Sequence, residues 1–303
     1  MTDNWTANNI PDLTGKVVVV TGANSGIGFE AAKEFARNGA HTILACRNME
    51  KADNAIQDIN TEIPKAVVQA IQLDLSSLTS IRKFAETYHT EFDHLDVLLN
   101  NAGIMMVPYG KTEDGFERQF GTNHLGHFAL TGLLIDLLSN TPGSRVVNVS
   151  SIGHTSGIMD FDNLMFESGK AYEPMTAYGR SKLANLLFTY ELQRRFDAMG
   201  ASTMALAAHP GLSNTALGDH WGIVKLLRPL FGLLLQSSAM GALPSLRAAV
   251  DPKAKGGAFY GPAGNGQRRG YPVVVQSNRA SHNLENAERL WQVSEELTGV
   301  HYL

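Results

Sequence analysis

The stretch VVVVTGANSGIG, residues 17–28, runs from four consecutive valines directly into a glycine-rich loop. The valines predict a strand buried on both faces, and the residues that follow have the pattern of a helix ending at Gly39. In this context Gly22 permits a tight turn, Gly26 lets the backbone approach a pyrophosphate, and Gly28 permits close helix–strand packing. Backbone N–H groups at the helix start then favour phosphates, so the stretch predicts a dinucleotide site. An ordinary turn that needs glycine only for its geometry is the alternative.

Outward from this stretch, β-branched runs alternate with helical patterns, without a linker or an internal repeat. The further runs that predict strands are AHTILACR, AVVQAIQLDL, LDVLLNNAG, SRVVNVSS, STMALAAHPG and GGAFYGPAGN. Such alternation requires parallel pairing with right-handed crossovers. We therefore predict one α/β domain over residues 1–303, a doubly wound Rossmann fold with a mainly parallel seven-stranded sheet and helices on both faces. Residues 1–13 form a polar N-terminal arm.

Composition excludes several functions. The 303 residues are 44% hydrophobic, which is enough for a sizeable core, and the net charge of −4 argues against a nucleic-acid partner. The single cysteine, Cys46, excludes an intrachain disulfide, and the histidines lack metal-ligand spacing, so no metal is expected. The polar N-terminus and the lack of a long apolar window predict a cytoplasmic protein without a transmembrane anchor. Segment 222–235 could contact a membrane surface or cover an apolar substrate pocket.

Five motifs together resemble the short-chain dehydrogenase/reductase family, from about residue 14 to near the C-terminus. They are the G-x3-G-x-G spacing of 22–28, LDL at 73–75, NNAG at 100–103, NVSS at 148–151 and YGRSK at 178–182. The resemblance implies a nicotinamide cofactor, with Asp74 at its adenine and Thr215 at its carboxamide. The implied cofactor-binding residues are Gly22, Asn24, Ser25, Gly26, Ile27, Gly28, Arg47, Asp74, Leu75, Asn101, Ala102, Gly103, Tyr178, Lys182, Pro210, Gly211 and Thr215.

The end of the second predicted strand indicates which nicotinamide cofactor is used. An acidic residue there would receive the ribose hydroxyls of NAD, but this chain has Cys46 and then Arg47. Arg47 can pair with a 2′-phosphate, assisted by Lys51 or Asn48, although a solvated surface arginine is the alternative. Against this preference, Ser25 stands where some NADP-preferring relatives carry a basic residue. We predict NADP(H).

Tyr178 and Lys182 lie four residues apart, so a helix places the phenol and the ammonium on one face. A free tyrosine has a pKa near 10, and a neighbouring ammonium or a cationic nicotinamide lowers the pKa of the phenol. Tyr178 is then a candidate acid/base that gives a proton to a carbonyl oxygen while the nicotinamide delivers hydride to the carbon. A core tyrosine beside a surface lysine is the common alternative for this spacing.

The resemblance also implies roles for the neighbouring residues. Lys182 would bind the ribose hydroxyls as well, and Ser151 would orient the substrate carbonyl. Ser150 is the alternative serine, since neighbouring residues on a strand point to opposite faces. Asn123, in TNHLGHF, would shape a helix bend and support a water next to the lysine, or only distort the helix. Pro210 and Gly211 would shape the turn against the nicotinamide.

The segment between Ser151 and Tyr178 holds 26 residues, about twice the length found in ordinary family members. With CRN at 46–48 and TNHLGHF, it is similar to the retinol dehydrogenase and WW-domain oxidoreductase-like branch. Segments 152–177 and 212–250 should border the site, because ligands bind beyond the carboxyl ends of parallel strands. Their apolar residues, each equally compatible with core or subunit interface, are Met159, Phe161, Met165, Phe166, Leu217, Trp221, Leu226, Leu230 and Phe231.

The predicted reaction is the interconversion of a hydrophobic aldehyde or ketone and its alcohol. Reduction of a carbon–carbon double bond, as in protochlorophyllide reductases, and a non-catalytic NADP-binding regulator are the alternatives. A binding-only protein needs no acid/base residues, so Asn123, Ser151, Tyr178 and Lys182 argue against the last. A homo-oligomer stays open, because helices at 116–138 and 178–196 resemble those of dimeric relatives but could equally pack on the chain's own sheet.

Overall fold

The computed structural model describes residues 4–213 and 236–303, and the strands of this part form one sheet. Its spatial order is β3-β2-β1-β4-β5-β6-β7-β8. The first seven strands are mutually parallel, and β8 is antiparallel to β7. The strands are β1 Val17–Thr21, β2 His41–Cys46, β3 Val67–Gln72, β4 Val97–Asn100, β5 Arg145–Val149, β6 Met204–Ala208, β7 Phe259–Pro262 and β8 Pro272–Val274.

The predicted doubly wound α/β class is confirmed, but the count of seven strands is wrong for the described residues. The chain reverses after β7 and returns as β8, with Tyr260 opposite Val274 and Pro262 opposite Pro272. Gly270, at φ 118°, permits this reversal. A strand of three residues is too short to give a recognisable apolar alternation, which is why the sequence did not indicate it.

Nine helices in the described part cover both faces of the sheet. They are α1 Gly26–Arg37, α2 Met49–Glu62, α3 Leu78–Glu91, α4 Arg118–Phe120, α5 Gly126–Leu133, α6 Ile135–Asn140, α7 Pro174–Met199, α8 Ser238–Val250 and α9 Leu284–Thr298. Alternate valines of β1 show the two layers, since Val18 and Val20 pack with α1 and α8, whereas Val17 and Val19 face α3 and α5. A strand buried on both faces requires the continuous apolar run that the sequence shows.

The N-terminal arm is polar in composition, but its few apolar side chains are buried against the domain. Trp5, Ile10 and Leu13 are buried in the core cluster that also contains Phe35 of α1. Three apolar anchors therefore fix the described part of the arm against the domain.

The C-terminal helix α9 packs on α7 and α5. The ring of Trp291 lies 5.2 Å from Phe128 and 5.9 Å from Phe188, measured between centroids, and the Arg195 guanidinium stands over it at 4.0 Å. These contacts place the apolar residues of α5 and α7 in the chain's own core, and the oligomeric state stays a prediction.

No helix in the described ranges is both long and apolar enough to span a bilayer. Segment 222–235, which the sequence connects with a membrane surface or a pocket cover, lies outside these ranges. The cytoplasmic location stays a prediction.

Candidate active site

A cavity of about 340 Å³ lies beyond the carboxyl ends of the central parallel strands. Its wall includes every described residue of the predicted cofactor-binding set except Gly211; Thr215 lies outside the described residues. The members of that set in the wall are Gly22, Asn24, Ser25, Gly26, Ile27, Gly28, Arg47, Asp74, Leu75, Asn101, Ala102, Gly103, Tyr178, Lys182 and Pro210. Wall residues outside the predicted cofactor-binding set are Ala45, Leu73, Ile104, Met105, Val107, Thr122, Val149 and, predicted only as an alternative serine, Ser150.

The glycine loop has the geometry of a cradle for a phosphate group. A Cβ placed on Gly28 would stand 2.5 Å from the Gly22 carbonyl oxygen, so close packing requires glycine there. Gly26, at φ 57°, would project a Cβ into open space, which leaves its backbone bare toward the cavity. The Ser25 side chain does not cap α1, whose first-turn N–H groups are therefore left for another acceptor. These residues fit a pyrophosphate.

The NNAG loop is fixed to the end of β1 through one hydroxyl. Thr21 Oγ1 accepts the backbone N–H groups of Asn101 and Ala102, both at 2.9 Å. Asn101 Nδ2 donates back to the Thr21 carbonyl oxygen at 2.9 Å. This pairing holds the loop against the glycine turn, where a Cβ on Gly22 would stand 3.0 Å from that of Ala102.

His127 is a positioning residue that the sequence did not identify. Burial lowers the pKa of His127 to about 4, so its ring is neutral. Nδ1 donates to the Asn123 carbonyl oxygen at 3.0 Å, and Nε2 therefore accepts from the Thr21 hydroxyl at 3.0 Å. The ring joins the TNHLGHF helix to the strand that carries the glycine loop. The one signal in the sequence was that His127 follows Asn123 by four residues, which places both side chains on one helix face.

At the far end of the cavity, Asp74 and Arg47 are available to a ligand. Asp74 Oδ1 accepts from the backbone and the hydroxyl of Ser76, and its other oxygen makes no hydrogen bond with a described residue. Arg47 is exposed just after β2 and has no hydrogen bond or ion pair within the described ranges. Asn48 is committed to capping α2, because its Oδ1 accepts the Lys51 N–H at 2.8 Å. Of the three residues expected to bind the 2′-phosphate, Arg47, Asn48 and Lys51, Arg47 is the one that lines the cavity.

Tyr178 and Lys182 lie at the opposite end, on α7. This helix begins with Pro174 behind the Glu173 carboxylate, which accepts the N–H groups of its first turn. Lys182 Nζ is 5.8 Å from the centre of the Tyr178 ring and donates to the Val149 carbonyl oxygen at 3.0 Å. Helical spacing and the end of β5 thus bring the pair to the cavity wall.

The pKa of the tyrosine differs from the expectation. Burial raises the pKa of Tyr178, and a hydrogen bond with the Ser151 hydroxyl acts in the opposite direction. Burial also lowers the pKa of Lys182 to about 8. A lowered phenol pKa was the sequence prediction, but in the protein alone the desolvation of a buried phenol outweighs its neighbours.

The two serines of NVSS have separate partners. Ser150 is buried and donates to the Lys182 carbonyl oxygen at 2.8 Å, which ties the end of β5 to α7. Ser151 Oγ instead accepts the Gly153 N–H at 3.0 Å and bonds to the Tyr178 phenol. Ser150 borders the cavity, whereas Ser151 is not among its wall residues; of the two serines, Ser151 is the one whose hydroxyl bonds to the acid/base candidate.

Asn123 lies in a π-helical turn, Gly121–Leu125, within the helix predicted over 116–138. Its Oδ1 accepts the Ile104 N–H at 2.8 Å, and its Nδ2 donates to the Ile104 carbonyl oxygen and the Ser181 hydroxyl, both at 2.9 Å. Asn123 does not reach the cavity itself. It positions the chain after Gly103, whose Cβ would stand 3.4 Å from Lys182 Nζ.

The segment after β6 is held by His209 and packs on a neighbouring turn. His209 Nδ1 accepts the Gly211 N–H at 3.2 Å, and its Nε2 donates to Gln267 at 2.9 Å. Burial lowers the pKa of His209 to about 4. A Cβ on Gly211 would clash with the Arg268 carbonyl oxygen, so Gly211 serves packing while Pro210 faces the cavity.

The long segment 152–177 contributes no residue to the described cavity wall. Phe166 is buried beneath the Arg180 guanidinium, whose carbon is 4.0 Å from the ring centre. The residues of this segment that pack with α7 and α9 are Met159, Phe161, Leu164 and Met165. The described part of 212–250 likewise places Ala242, Leu243 and Leu246 in the core. Substrate contact by either segment stays a prediction.

Comparisons with known proteins agree with this architecture. The family model for short chain dehydrogenase matches residues 16–222. Human Retinol dehydrogenase 13 is 44% identical over 296 residues, covering 95% of this chain and 86% of that protein. An uncharacterised protein from Mycobacterium Paratuberculosis has a crystal structure with a TM-score of 0.83, 41% identity and 99% coverage of both chains.

A more distant crystal structure shares the fold. It is a short chain dehydrogenase from Shigella flexneri 2a complexed with NADP, with a TM-score of 0.63 and 24% identity, covering 82% of this chain and 97% of that one. The family match spans more than half of the chain, and the curated relative aligns along nearly all of it. The chain therefore belongs to the short-chain dehydrogenase family of oxidoreductases, in its retinol dehydrogenase-like branch.

Proposed function

We propose that this protein is an NADP(H)-dependent oxidoreductase that interconverts a hydrophobic aldehyde or ketone and its alcohol, with Tyr178 as the acid/base. One observation carries the proposal. The phenol, in contact with Ser151 and near Lys182, stands at one end of a cavity whose other end has Arg47 and the glycine loop. A cofactor and a small carbonyl compound can therefore meet at the phenol.

The chain's own residues would divide the work as follows. The bound nicotinamide would supply or accept the hydride. Tyr178 donates its proton to the carbonyl oxygen in reduction, and burial favours this protonated form by raising the pKa of the phenol. Ser151 orients the phenol and the carbonyl oxygen. Lys182, with one N–H committed to the Val149 carbonyl, has further donors for the ribose hydroxyls.

The preference for NADP(H) over NAD(H) rests on the end of β2. Cys46, Arg47 and Asn48 follow one another there and carry no carboxylate that would repel a 2′-phosphate. The Arg47 guanidinium, which has no partner among the described residues, offers a fork of donors beside the start of α2. The bare backbone of Gly26 and the uncapped start of α1 suit the pyrophosphate. The fold relative from Shigella flexneri that holds NADP adds support.

The test follows NADPH consumption with aliphatic, aromatic and polycyclic aldehydes and ketones, including retinal because of the relative's name. Tyr178→Phe should lose at least about 100-fold in rate, the usual range for a positioned proton donor, while fluorescence titration still shows NADPH binding. Tyr190→Phe is the matched control, since Tyr190 lies on the same helix and bonds to Ser277 instead. It should keep the parent rate.

Three results would argue against the proposal. An unchanged rate in Tyr178→Phe removes the tyrosine from the chemistry. Tight NADPH binding without turnover favours a binding-only regulator. A product with a saturated carbon–carbon bond and an intact carbonyl indicates a double-bond reductase.

A further inference from the structure

An apolar wall follows the NNAG loop, formed by residues 104–107. Ile104, Met105 and Val107 all border the cavity. The wall begins next to Gly103, whose Cβ would stand 3.4 Å from Lys182 Nζ, so it stands near the tyrosine–lysine end. Its side chains carry no charge and are half-buried. A substrate whose carbonyl oxygen meets the phenol would place its apolar part within reach of this wall.

The backbone of the wall includes a residue in a conformation that is unfavourable without contacts from the rest of the protein. Met106 has φ 53°, in the left-handed region that non-glycine residues rarely occupy. Such a residue persists only where its surroundings fix it. One fixing contact comes from Gln119, a fully buried residue of α4, whose Oε1 accepts the Met106 N–H at 2.8 Å.

The second fixing contact comes from Tyr172, in the long segment 152–177. Its hydroxyl donates to the Val107 carbonyl oxygen at 2.7 Å and accepts from Gln119 Nε2 at 2.9 Å. Burial raises the pKa of Tyr172 to about 12, so the phenol keeps the proton it donates. Edge-to-face contacts with Phe166 and Tyr109, both at 5.3 Å between ring centroids, fix the ring.

We propose that Tyr172 is a positioning residue for substrate specificity, which fixes the wall 104–107 and thereby sets how bulky an apolar substituent the carbonyl site accepts. Segment 152–177 then acts on specificity without lining the cavity. The inference rests on the proposed function, because it concerns the substrate of the same site.

The chain provides a matched pair of variants for the test. Tyr172→Phe keeps the ring and removes the hydroxyl that bonds to both Val107 and Gln119. Tyr109→Phe removes the hydroxyl of the neighbouring tyrosine, which is buried and has no hydrogen-bond partner among the described residues. Thermal unfolding of both variants checks that each is folded.

The first measurement compares kcat/KM for a small and a bulky apolar aldehyde. In Tyr172→Phe we expect the ratio of the two to change by about fivefold, the range for one neutral hydrogen bond, while the KM for NADPH stays constant. A general structural defect would instead lower both efficiencies equally. Tyr109→Phe should keep the parent ratio.

The second measurement needs neither turnover nor cofactor. Hydrogen exchange followed by mass spectrometry should show faster exchange in the peptide that contains Met106 in Tyr172→Phe, and parent-like exchange in Tyr109→Phe. Unchanged exchange in Tyr172→Phe overturns the claim that Tyr172 fixes the wall. Faster exchange with an unchanged ratio, in an active enzyme, overturns the claim on specificity. A parent that turns over no carbonyl compound overturns the proposed function instead, and the specificity claim with it.

Discussion

We propose that the cofactor preference depends on the single side chain of Arg47. Its guanidinium lines the cavity and is unpaired within the described residues, so a 2′-phosphate would gain a charge-assisted pair without breaking another. Arg47→Ala should lower the ratio of kcat/KM for NADPH to kcat/KM for NADH by about 10- to 100-fold, the range for hydrogen bonds to a charged group. The efficiency with NADH is the internal control and should stay constant. Equal efficiency with both cofactors in the parent would contradict the prediction.

Tyr178 should give the two reaction directions opposite pH dependences. Burial raises the pKa of the phenol, so at neutral pH the side chain is the acid that reduction needs and lacks the phenolate that oxidation needs. Alcohol oxidation should therefore become faster as pH rises toward the phenol pKa, and carbonyl reduction should become slower above it. Profiles of kcat/KM in both directions check this. An oxidation rate that does not respond to pH would show that another group takes the proton.

Two kinds of signal in the sequence indicated site residues: local spacing, and the motifs that resemble the short-chain dehydrogenase family. The glycines and the pair Tyr178 and Lys182 could be predicted because a turn or one helix face brings them together. Tyr172 could not, because its partner Val107 is 65 residues away and the bond depends on the path of two irregular segments. His127 was missed for a similar reason, since its contact with Thr21 joins a helix to a distant strand.

At the scale of the element, the glycine loop allows an effect on stability to be distinguished from an effect on NADPH binding. Gly26→Ala adds a methyl group in open space at positive φ, which should destabilise the fold by about 1–2 kcal/mol but also fill part of the phosphate cradle. We expect this variant to lose NADPH affinity, as measured by fluorescence titration. Gly15→Ala is the matched control, because Gly15 also has positive φ and open space but lies outside the cavity wall. It should show a similar loss of stability in urea and parent-like NADPH binding. Equal affinity in both variants would contradict a phosphate position at Gly26.

Elements that depart from the predicted pattern do so because of long-range contacts. In the helix predicted over 116–138, only the family resemblance implied a bend at Asn123, because the apolar pattern shows none; the side chain of Asn123 bonds to the backbone of Ile104, and a π turn forms there. Similarly, β8 exists through its pairing with β7 rather than through a pattern of its own. The periodicity of apolar residues predicts which face of an element is buried. An interruption such as the π turn can be predicted only when the distant residue that causes it is known.

For the molecule as a whole, the site depends on a polar frame inside an apolar core. Asn100 donates to Asn148, and Asn148 donates to Thr189 of α7, so amides connect β4 and β5 with the helix of the acid/base residue. His127 extends this frame from Thr21 of β1 to the TNHLGHF helix, and His209 extends it from the end of β6 to Gln267. A frame of neutral buried groups is stable only while those groups stay uncharged.

Four histidines are buried among the described residues, and the three with large pKa shifts should make the fold sensitive to acid. Burial also lowers the pKa of the fourth, His154. Burial lowers the pKa of His124 to about 3 and those of His127 and His209 to about 4. Unfolding restores a pKa near 6.5, so below about that pH the unfolded chain binds protons that the folded chain refuses, and the free energy of unfolding falls as pH falls. Each of these three histidines changes the free energy of unfolding by at most about 1.4 kcal/mol per pH unit. The three together change it by at most roughly 4 kcal/mol per pH unit, until the pH reaches their pKa values in the folded protein. Urea unfolding at several pH values between about 7 and 5 measures this slope, in a window mostly above the titration of free carboxyls. His127→Asn should lower this slope by up to about 1.4 kcal/mol per pH unit. A stability that stays constant across this window would contradict the idea that these rings are neutral in the fold.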